Sequence, residues 1–397
     1  MSISNFEYKK MVIKCLSPVH ITDEVGTVYS YQYLYDARTQ RVYFLNERLW
    51  SKFLFEHNLL AEFETLISTK MRAGTLCEWL LGKGFDIDSL DGAVTEYAEV
   101  GVSPEVLAAN KMRLTEIVRT VHSVDGQVYI PGSSIKGALR TGLLFSLLLQ
   151  EDKLRMQAWN EITRILSDKR LRDKNFALSR LAQKLEILVL HRLKIPKNNE
   201  PDGELLPQSS LKCSVMKGLS VSDAYGDGGI IPVIVQKREA VLMVKTGQIR
   251  IKNLNLFREC LPQGAHQHFS ITLDKAVFSA IGIQSVAELI KRQQDFTQFI
   301  LARHKKLFGG VLKREFAAAE GGNIFLGSGS GFLSKTLLAV LAPDEKAYTA
   351  AAALVLHNNF YKHAHLQLDK FAAPRGLQTA KTRKGSTLMG LCAVTEE

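Results

Sequence analysis

Cysteine is sparse in this chain. The five cysteines, at 15, 77, 213, 260 and 392, never form a C-x-x-C pair, which leaves no zinc ribbon and no dithiol redox motif and suits a reduced, cytoplasmic protein. Long apolar runs are missing too: Leu143 to Leu149 is far short of the roughly 20 residues that span a bilayer. The opening MSISNFEYKK lacks the apolar core of a signal peptide, so none is expected. No GxSxG and no Cys–His signature marks a covalent nucleophile. Acid is the scarcer charge. Against 40 Asp and Glu stand 51 Lys and Arg, for a net +11 and a pI near 9.3. That surplus favours a polyanionic partner, nucleic acid before membrane. With 397 residues and 46% hydrophobic content, the chain can bury a large core and is expected to form two domains, 1–200 and 201–397.

What is present centres on QVYIPGSSIKGALRTGLLFSLLL, Gln127 to Leu149. Gln127 to Ile130 predicts a short strand, Pro131 and Gly132 break it, and Ser133 or Ser134 can cap the helix that follows. A strand, a glycine turn and a helix start leave backbone N–H groups free and place the positive end of the helix dipole beside them, which suits an anion. Lys136 and Arg140 share a helix face four residues apart, and Gly137 between them permits close approach. The expectation is a cradle for a phosphodiester. A Walker loop is excluded, because Ala138 and Leu139 stand where that motif needs Lys and Ser or Thr.

In chain order, Lys10 to Leu16 reads as a first strand. Tyr31 to Tyr35 and Arg41 to Leu45 form a hairpin across DARTQ. Helical spacing begins at Asn46, returns at Leu76 to Leu81 and Pro104 to Thr120, and runs through Glu151 to Leu193. Residues 151 to 195 are rich in base. KIPKNNEPDGELLPQS, Lys194 to Ser209, is the expected domain boundary. Further strands are expected at Leu211 to Val221, Ile230 to Gln236, Ala240 to Val244 and His268 to Leu273, where Phe269, Ile271 and Leu273 alternate with polar residues. A helix follows over Val286 to Leu307, then a strand, Asn323 to Leu326, and a glycine loop, Gly327, Ser328, Gly329, Ser330 and Gly331, opening a helix at Phe332. Phe332 stands where a dinucleotide fingerprint needs its third glycine, so that motif fails. The segment Lys370 to Lys384 reads as a basic loop before a last strand, Thr387 to Val394.

Four segments in order resemble the RAMP superfamily of CRISPR-associated RNA-binding proteins, and within it the type III-A Csm subunits that cap the 3′ end of CRISPR RNA. They are CLSPVHI (Cys15 to Ile21), IPGSSIKGALRTGLL (Ile130 to Leu144), GLSVSDAY (Gly218 to Tyr225) and FLGSGSGFLSKTLL (Phe325 to Leu338). The resemblance implies an α+β fold of two ferredoxin-like (RRM-like) units with helical insertions. It implies RNA contacts by Gly132, Ser133, Ser134, Lys136, Gly137 and Arg140 in the first loop, by Gly327, Ser328, Gly329, Ser330, Gly331 and Lys335 in the second, and by Lys381 and Arg383. The implied partners are the 3′ end of CRISPR RNA, the repeating Csm backbone subunit, the small helical subunit and a host 3′ exonuclease. No cofactor and no metal are implied.

RAMP relatives that mature CRISPR RNA use general acid–base chemistry on a 2′-hydroxyl, which makes His20 and His122 the candidate bases for an alternative endoribonuclease reading. A structural RAMP subunit of another type III complex is the other alternative. His266/His268 and His363/His365 are His-x-His pairs without an evident third ligand. Asp223 and Asp227 could hold Mg²⁺ or merely serve the SDAYGDGG turn. The main expectation is a binding and assembly subunit with no catalytic residue.

Overall fold

The structure, a computed structural model, describes residues 5–69, 74–90, 92–102, 104–109, 114–197 and 204–397. The first half contributes strands β1 (Phe6–Cys15), β2 (Thr22–Val28), β3 (Tyr33–Asp36), β4 (Arg41–Leu45), β5 (Val94–Val100) and β6 (Ile117–Thr120). Its helices are α1 (Glu47–Glu56), α2 (Leu60–Ser68), α3 (Thr75–Gly82), α4 (Pro104–Ala109), α5 (Gly132–Leu149), α6 (Asp152–Ser167) and α7 (Lys174–Leu190). The second half adds β7 (Leu219–Val221), β8 (Val233–Leu242), β9 (Ile249–Cys260), β10 (His266–Asp274), β11 (Ile324–Phe325), β12 (Gly376–Thr382), β13 (Gly385–Thr387) and β14 (Leu391–Glu396). Its helices are α8 (Lys275–Phe278), α9 (Val286–Phe308), α10 (Lys313–Ala317), α11 (Leu338–Leu341), α12 (Glu345–Asn359) and α13 (His365–Leu368).

The fold is α+β. One sheet has the order β11-β14-β1-β10-β7. Taken with α5 and α9, the elements β1, α5, β7, β10, α9 and β14 follow the β-α-β-β-α-β sequence of a ferredoxin-like unit, with fourth strand, first, third and second side by side. That unit is assembled from the whole chain, because β1 pairs antiparallel with β10 over Phe6 to Lys14 and with β14 over Met11 to Cys15. β10 shows why: Gln267, Phe269, Ile271 and Leu273 are buried in alternation, the period-2 pattern of a strand with one face on a core. The second sheet has the order β2-β6-β9-β8-β5-β4-β3, with β12 on β8 and β13 on β12. Both sheets therefore draw strands from both sides of residue 200, and residues 198–203, where the boundary was expected, lie outside the described residues.

Several local expectations change. Pro104 to Thr120 is a short helix and then strand β6, because Ile117 is drawn into the second sheet beside Phe257 of β9. The two strands expected at 230–236 and 240–244 are one, β8. Leu211 to Val221 is mostly 3₁₀ turns ahead of the short β7. The basic segment Lys370 to Lys384 contains β12, held on β8 from Gly376 to Lys381. Gln127 to Ile130 makes only two isolated bridges, Val128 to His122 and Ile130 to Ala224. Among the described residues, no helix is long and apolar enough to cross a membrane.

The main core fills the space between the first sheet and the helices α5, α6, α7, α9, α11 and α12. Within it α5 and α9 cross closely. A Cβ built on Gly142 would lie 2.7 Å from the Gln293 Cα, closer than packed atoms tolerate. Gly137, one face round the same helix, meets nothing within 4 Å. The two glycines should respond oppositely. Gly142→Ala is expected to push α5 off α9 and cost about 1–3 kcal/mol. Gly137→Ala is expected to stabilise by up to about 1 kcal/mol through helix propensity. Urea melts of both variants check this; a neutral Gly142→Ala would contradict the close crossing.

Candidate nucleic-acid interface

The start of α5 carries an anion of the protein's own. The backbone N–H of Gly132 donates to Asp223 Oδ1 at 2.7 Å, so a carboxylate of the SDAYGDGG turn occupies the positive end of the helix. Neither Ser133 nor Ser134 caps; the N-cap position is Pro131. Gly132 is needed because a Cβ there would fall 2.4 Å from the Val221 carbonyl oxygen. Lys136 also turns inward, its Nζ donating to the Leu219 carbonyl at 2.6 Å. Burial, and then the charge of Arg140, hold that ammonium below the usual lysine range. Of the phosphate cradle expected at Gly132, Ser133 and Lys136, the Gly132 N–H and the Lys136 ammonium thus have protein partners. Those three residues do not line the cleft described next.

One turn further along α5 the two glycine-rich segments meet. Ser134, Gly137, Ala138, Arg140 and Thr141 form one wall of a cleft of about 380 Å³. The facing wall is Phe325 to Ser328, Ser330, Ser334 and Lys335, and Ile21 with Thr22 closes one end. The second wall is shaped by backbone that other residues rarely adopt: φ is +71° at Gly327, +90° at Gly329 and +93° at Gly331. The loop lies directly on the chain at His20. Ser328 N donates to the His20 carbonyl at 2.7 Å, and a Cβ on Gly327 would lie 2.1 Å from the same oxygen. Within the loop, Ser330 Oγ donates to the Gly327 carbonyl at 3.1 Å and Ser334 Oγ to Ser330 Oγ at 2.8 Å. Phe332 begins a 3₁₀ turn, Leu333 to Lys335, where a regular helix was expected.

Beneath this loop sits a charge that the sequence did not single out. A Cβ on Gly329 would lie 2.9 Å from Arg258 Nη1, which puts the guanidinium of β9 against the loop backbone. Burial holds Arg258 below the ordinary arginine value, and it lowers Lys335 and Lys237 as well, each further depressed by the charge of Arg258. Among the described residues, none of the three forms an ion pair. Glu239 attracts Lys237 through space only. Lys335 is exposed on the cleft wall, and Arg258, beside the loop, and Lys237 are half-buried. Arg140, at the rim, is held by Glu186 at 3.2 Å.

Lys381 and Arg383 are elsewhere. They line a second cleft of about 420 Å³ with Arg38 and Gln40, and Arg383 Nε donates to the Val100 carbonyl at 3.0 Å. The fourteen expected contacts thus divide. Ser134, Gly137, Arg140, Gly327, Ser328, Ser330 and Lys335 share one cleft; Gly329 and Gly331 shape its loop without lining it; Lys381 and Arg383 lie apart; Gly132, Ser133 and Lys136 are off it. Arg258 and Lys237 were missed because strand residues carry no motif. The available signal was an arginine beside Phe257 and Cys260, both buried in β9.

The histidines are tied into the scaffold. His20 is fully buried, and its Nδ1 donates to the Glu259 carbonyl at 2.7 Å. That fixes the tautomer, so Nε2 accepts from the Thr22 hydroxyl at 3.3 Å, which in turn lies 3.3 Å from Ser328 Oγ. Burial pulls its pKa down to about 4. His122 lies between Glu259 at 3.4 Å and Glu96 at 3.5 Å, with Arg119 bonded to both carboxylates. Burial lowers its pKa, but the hydrogen bond and charge of Glu259 outweigh burial and raise it. Asp227 faces His268 at 3.3 Å rather than Asp223, and His365 is bonded to Asp369 at 2.9 Å. His363 and His365 sit in a 3₁₀ turn and a short helix, not on a strand. Among the described residues, no three His, Cys, Asp or Glu side chains gather to hold a metal ion.

His20 sets a pH dependence. Its pKa in the folded protein, about 4, is below the value of about 6.5 in the unfolded chain. The unfolded chain therefore binds the proton first, and stability present above pH 6.5 is lost as pH falls towards 4. His304, likewise lowered to about 4 by burial and then by Arg303, acts in the same direction. Each histidine is expected to contribute a loss of up to about 3 kcal/mol. Urea unfolding between pH 7 and pH 4.5 should show the decline, and His20→Asn should flatten it. An equal slope in the variant would contradict a neutral, buried His20.

The model of the RAMP superfamily matches residues 12–326. The chain is similar in fold to a subunit in a structure described as the Csm–crRNA–target RNA ternary complex of a type III-A CRISPR-Cas system, with a TM-score of 0.59, 17% identity, and coverage of 98% of this chain and 100% of the other. It is also similar to T. onnurineus Csm5, with a TM-score of 0.56, 16% identity, and coverage of 96% and 99%. Comparison with curated protein sequences finds no match.

Proposed function

The chain belongs to the RAMP superfamily, and from that premise we propose that it is a subunit of a type III-A Csm-type ribonucleoprotein that holds the 3′ end of the CRISPR RNA. The observation that carries this reading is the cleft in which two glycine-rich segments converge, lined by Arg140 and Lys335, with Arg258 against the loop backbone at Gly329 and, among the described residues, neither Lys335 nor Arg258 in an ion pair. Serine hydroxyls, glycine backbone and cations contact phosphate and ribose without reading bases, which suits a guide whose sequence varies. The like fold of a chain in the Csm–crRNA–target RNA complex supports assembly with Csm subunits. The neighbours would be the backbone subunit and the small helical subunit, with a host 3′ exonuclease acting on the protruding RNA.

The role is binding rather than cleavage. His20, the candidate base nearest the cleft, is fully buried and bonded on both ring nitrogens, and His122 is locked among Glu96, Glu259 and Arg119. The protein would work in the cytoplasm as part of the ribonucleoprotein.

Arg258→Gln and Lys335→Gln are each expected to weaken single-stranded RNA binding roughly tenfold, equally for two unrelated sequences, as loss of a charge-assisted phosphate contact requires. Lys136→Ala should shift the melting temperature and leave affinity unchanged. Gly137→Leu, which fills the cleft from an open helix face, should also lose affinity. Filter binding with parallel melts tests this, and unchanged affinity in a folded Arg258→Gln/Lys335→Gln variant would refute the cleft as the RNA site. The 3′-end role is tested by sequencing guide ends from complexes assembled with and without the subunit; identical ends would refute it.

A further inference from the structure

The base-rich stretch of α6 and α7 has no part in the cleft just described, yet it meets an unusual surface. Phe176, at the start of α7, is 60% exposed, and Phe360 and Tyr361, just past the end of α12, are 53% and 69% exposed. Asn175 Nδ2 donates to Asn359 Oδ1 at 3.3 Å, which joins the two helix ends that carry these aromatics, and Phe360 stacks on His363 with ring centres 5.8 Å apart. Cations accompany them: Arg180 Cζ lies 5.8 Å from the Phe176 ring centre, and Lys362 Nζ lies 5.8 Å from that of Tyr361.

Of the carboxylates nearby, Asp173 and Asp168 cap backbone N–H groups and keep their charge, and Asp369 is buried. Asp173 accepts from Phe176 N at 2.8 Å, and Asp168 accepts from Arg170 N at 2.8 Å. Asp369 is buried between His365 at 2.9 Å and Arg375 at 3.0 Å. What faces outward is exposed ring area with Arg180 and Lys362 beside the rings and the capping carboxylate of Asp173 at the helix start. A protein partner's apolar face would match the rings but not the cations, whereas nucleobases stack on the rings while phosphates meet the cations.

We infer that the surface formed by Phe176, Arg180, Phe360, Tyr361 and Lys362 binds single-stranded nucleic acid by stacking bases. It extends the RNA path beyond the glycine-loop cleft and rests on the reading that the cleft holds RNA. The two places are joined by α7. Its Glu186 bonds Arg140 on the cleft rim at 3.2 Å, and ten residues of helix separate Glu186 from Phe176, about 15 Å. A strand leaving the cleft beside Arg140 reaches the aromatics by following one helix.

The test uses the full chain and two RNAs, of about 6 and about 16 nucleotides, spanning the usual range of single-strand site sizes. Phe176→Ala/Phe360→Ala/Tyr361→Ala removes only exposed side chains, and its melting curve should match the parent. It is expected to bind the long RNA at least tenfold more weakly and the short RNA as the parent does, while Arg258→Gln/Lys335→Gln loses both. Ultraviolet crosslinking of the long RNA should recover a peptide containing Phe360 and Tyr361. Parental affinity of the triple variant for the long RNA, with or without loss of association with a partner subunit, would overturn the inference. Loss of long-RNA affinity in the triple variant with none in the cleft variant would instead overturn the cleft reading and leave this surface standing.

Discussion

The contact on which the site depends is the seating of the GSGSG backbone on the chain at His20. Ser328 N donates to the His20 carbonyl, and Gly327 comes so close to that oxygen that no side chain fits between. The ring of His20 is in turn anchored to the Glu259 carbonyl. Because side chains alternate along a strand, Glu259 sends its carboxylate into the buried group of Arg119 and His122 while its neighbour Arg258 turns to the loop. A single stretch of β9 thus ties the scaffold together on one face and places a cation under Gly329 on the other.

That placement gives the cleft its chemistry. A guanidinium taken partly out of water is costly unless an anion compensates it, and the described protein supplies none at Arg258 or Lys335. At the first glycine segment the reverse holds. There Asp223 accepts from Gly132 N and Leu219 accepts from Lys136, so both of those donors are partnered without a ligand. The open side of Gly137, where alanine would make a better helix, faces the cleft.

Much of this was legible in the residues. Alternation in His268 to Leu273 announced a half-buried strand, and the two glycine segments announced a shared role that their meeting in one cleft supports. The α+β class was also readable. What local pattern could not convey was long-range pairing: β1 lies between β10 and β14, so the ferredoxin-like sheet closes only when both chain ends are in place. The same limit hid the partner of Gly132, since a capping carboxylate 91 positions away leaves no trace near it. Lys381 and Arg383 read as a loop because their charges mask the short pairing of β12 with β13. Arg258 stayed hidden because its neighbour across space, Gly329, belongs to a distant loop.

The central claim is that Arg258 and Lys335, the cations at the GSGSG loop, pair with RNA phosphates, and salt tests it most directly. For single-stranded RNA, log affinity falls linearly with log salt, with a slope of about −0.7 per phosphate neutralised. Measured across a salt series, the Arg258→Gln/Lys335→Gln protein should show a slope shallower by about 1.4 than the parent, two phosphate contacts fewer. An identical slope in the two proteins, with the variant folded, would contradict the account.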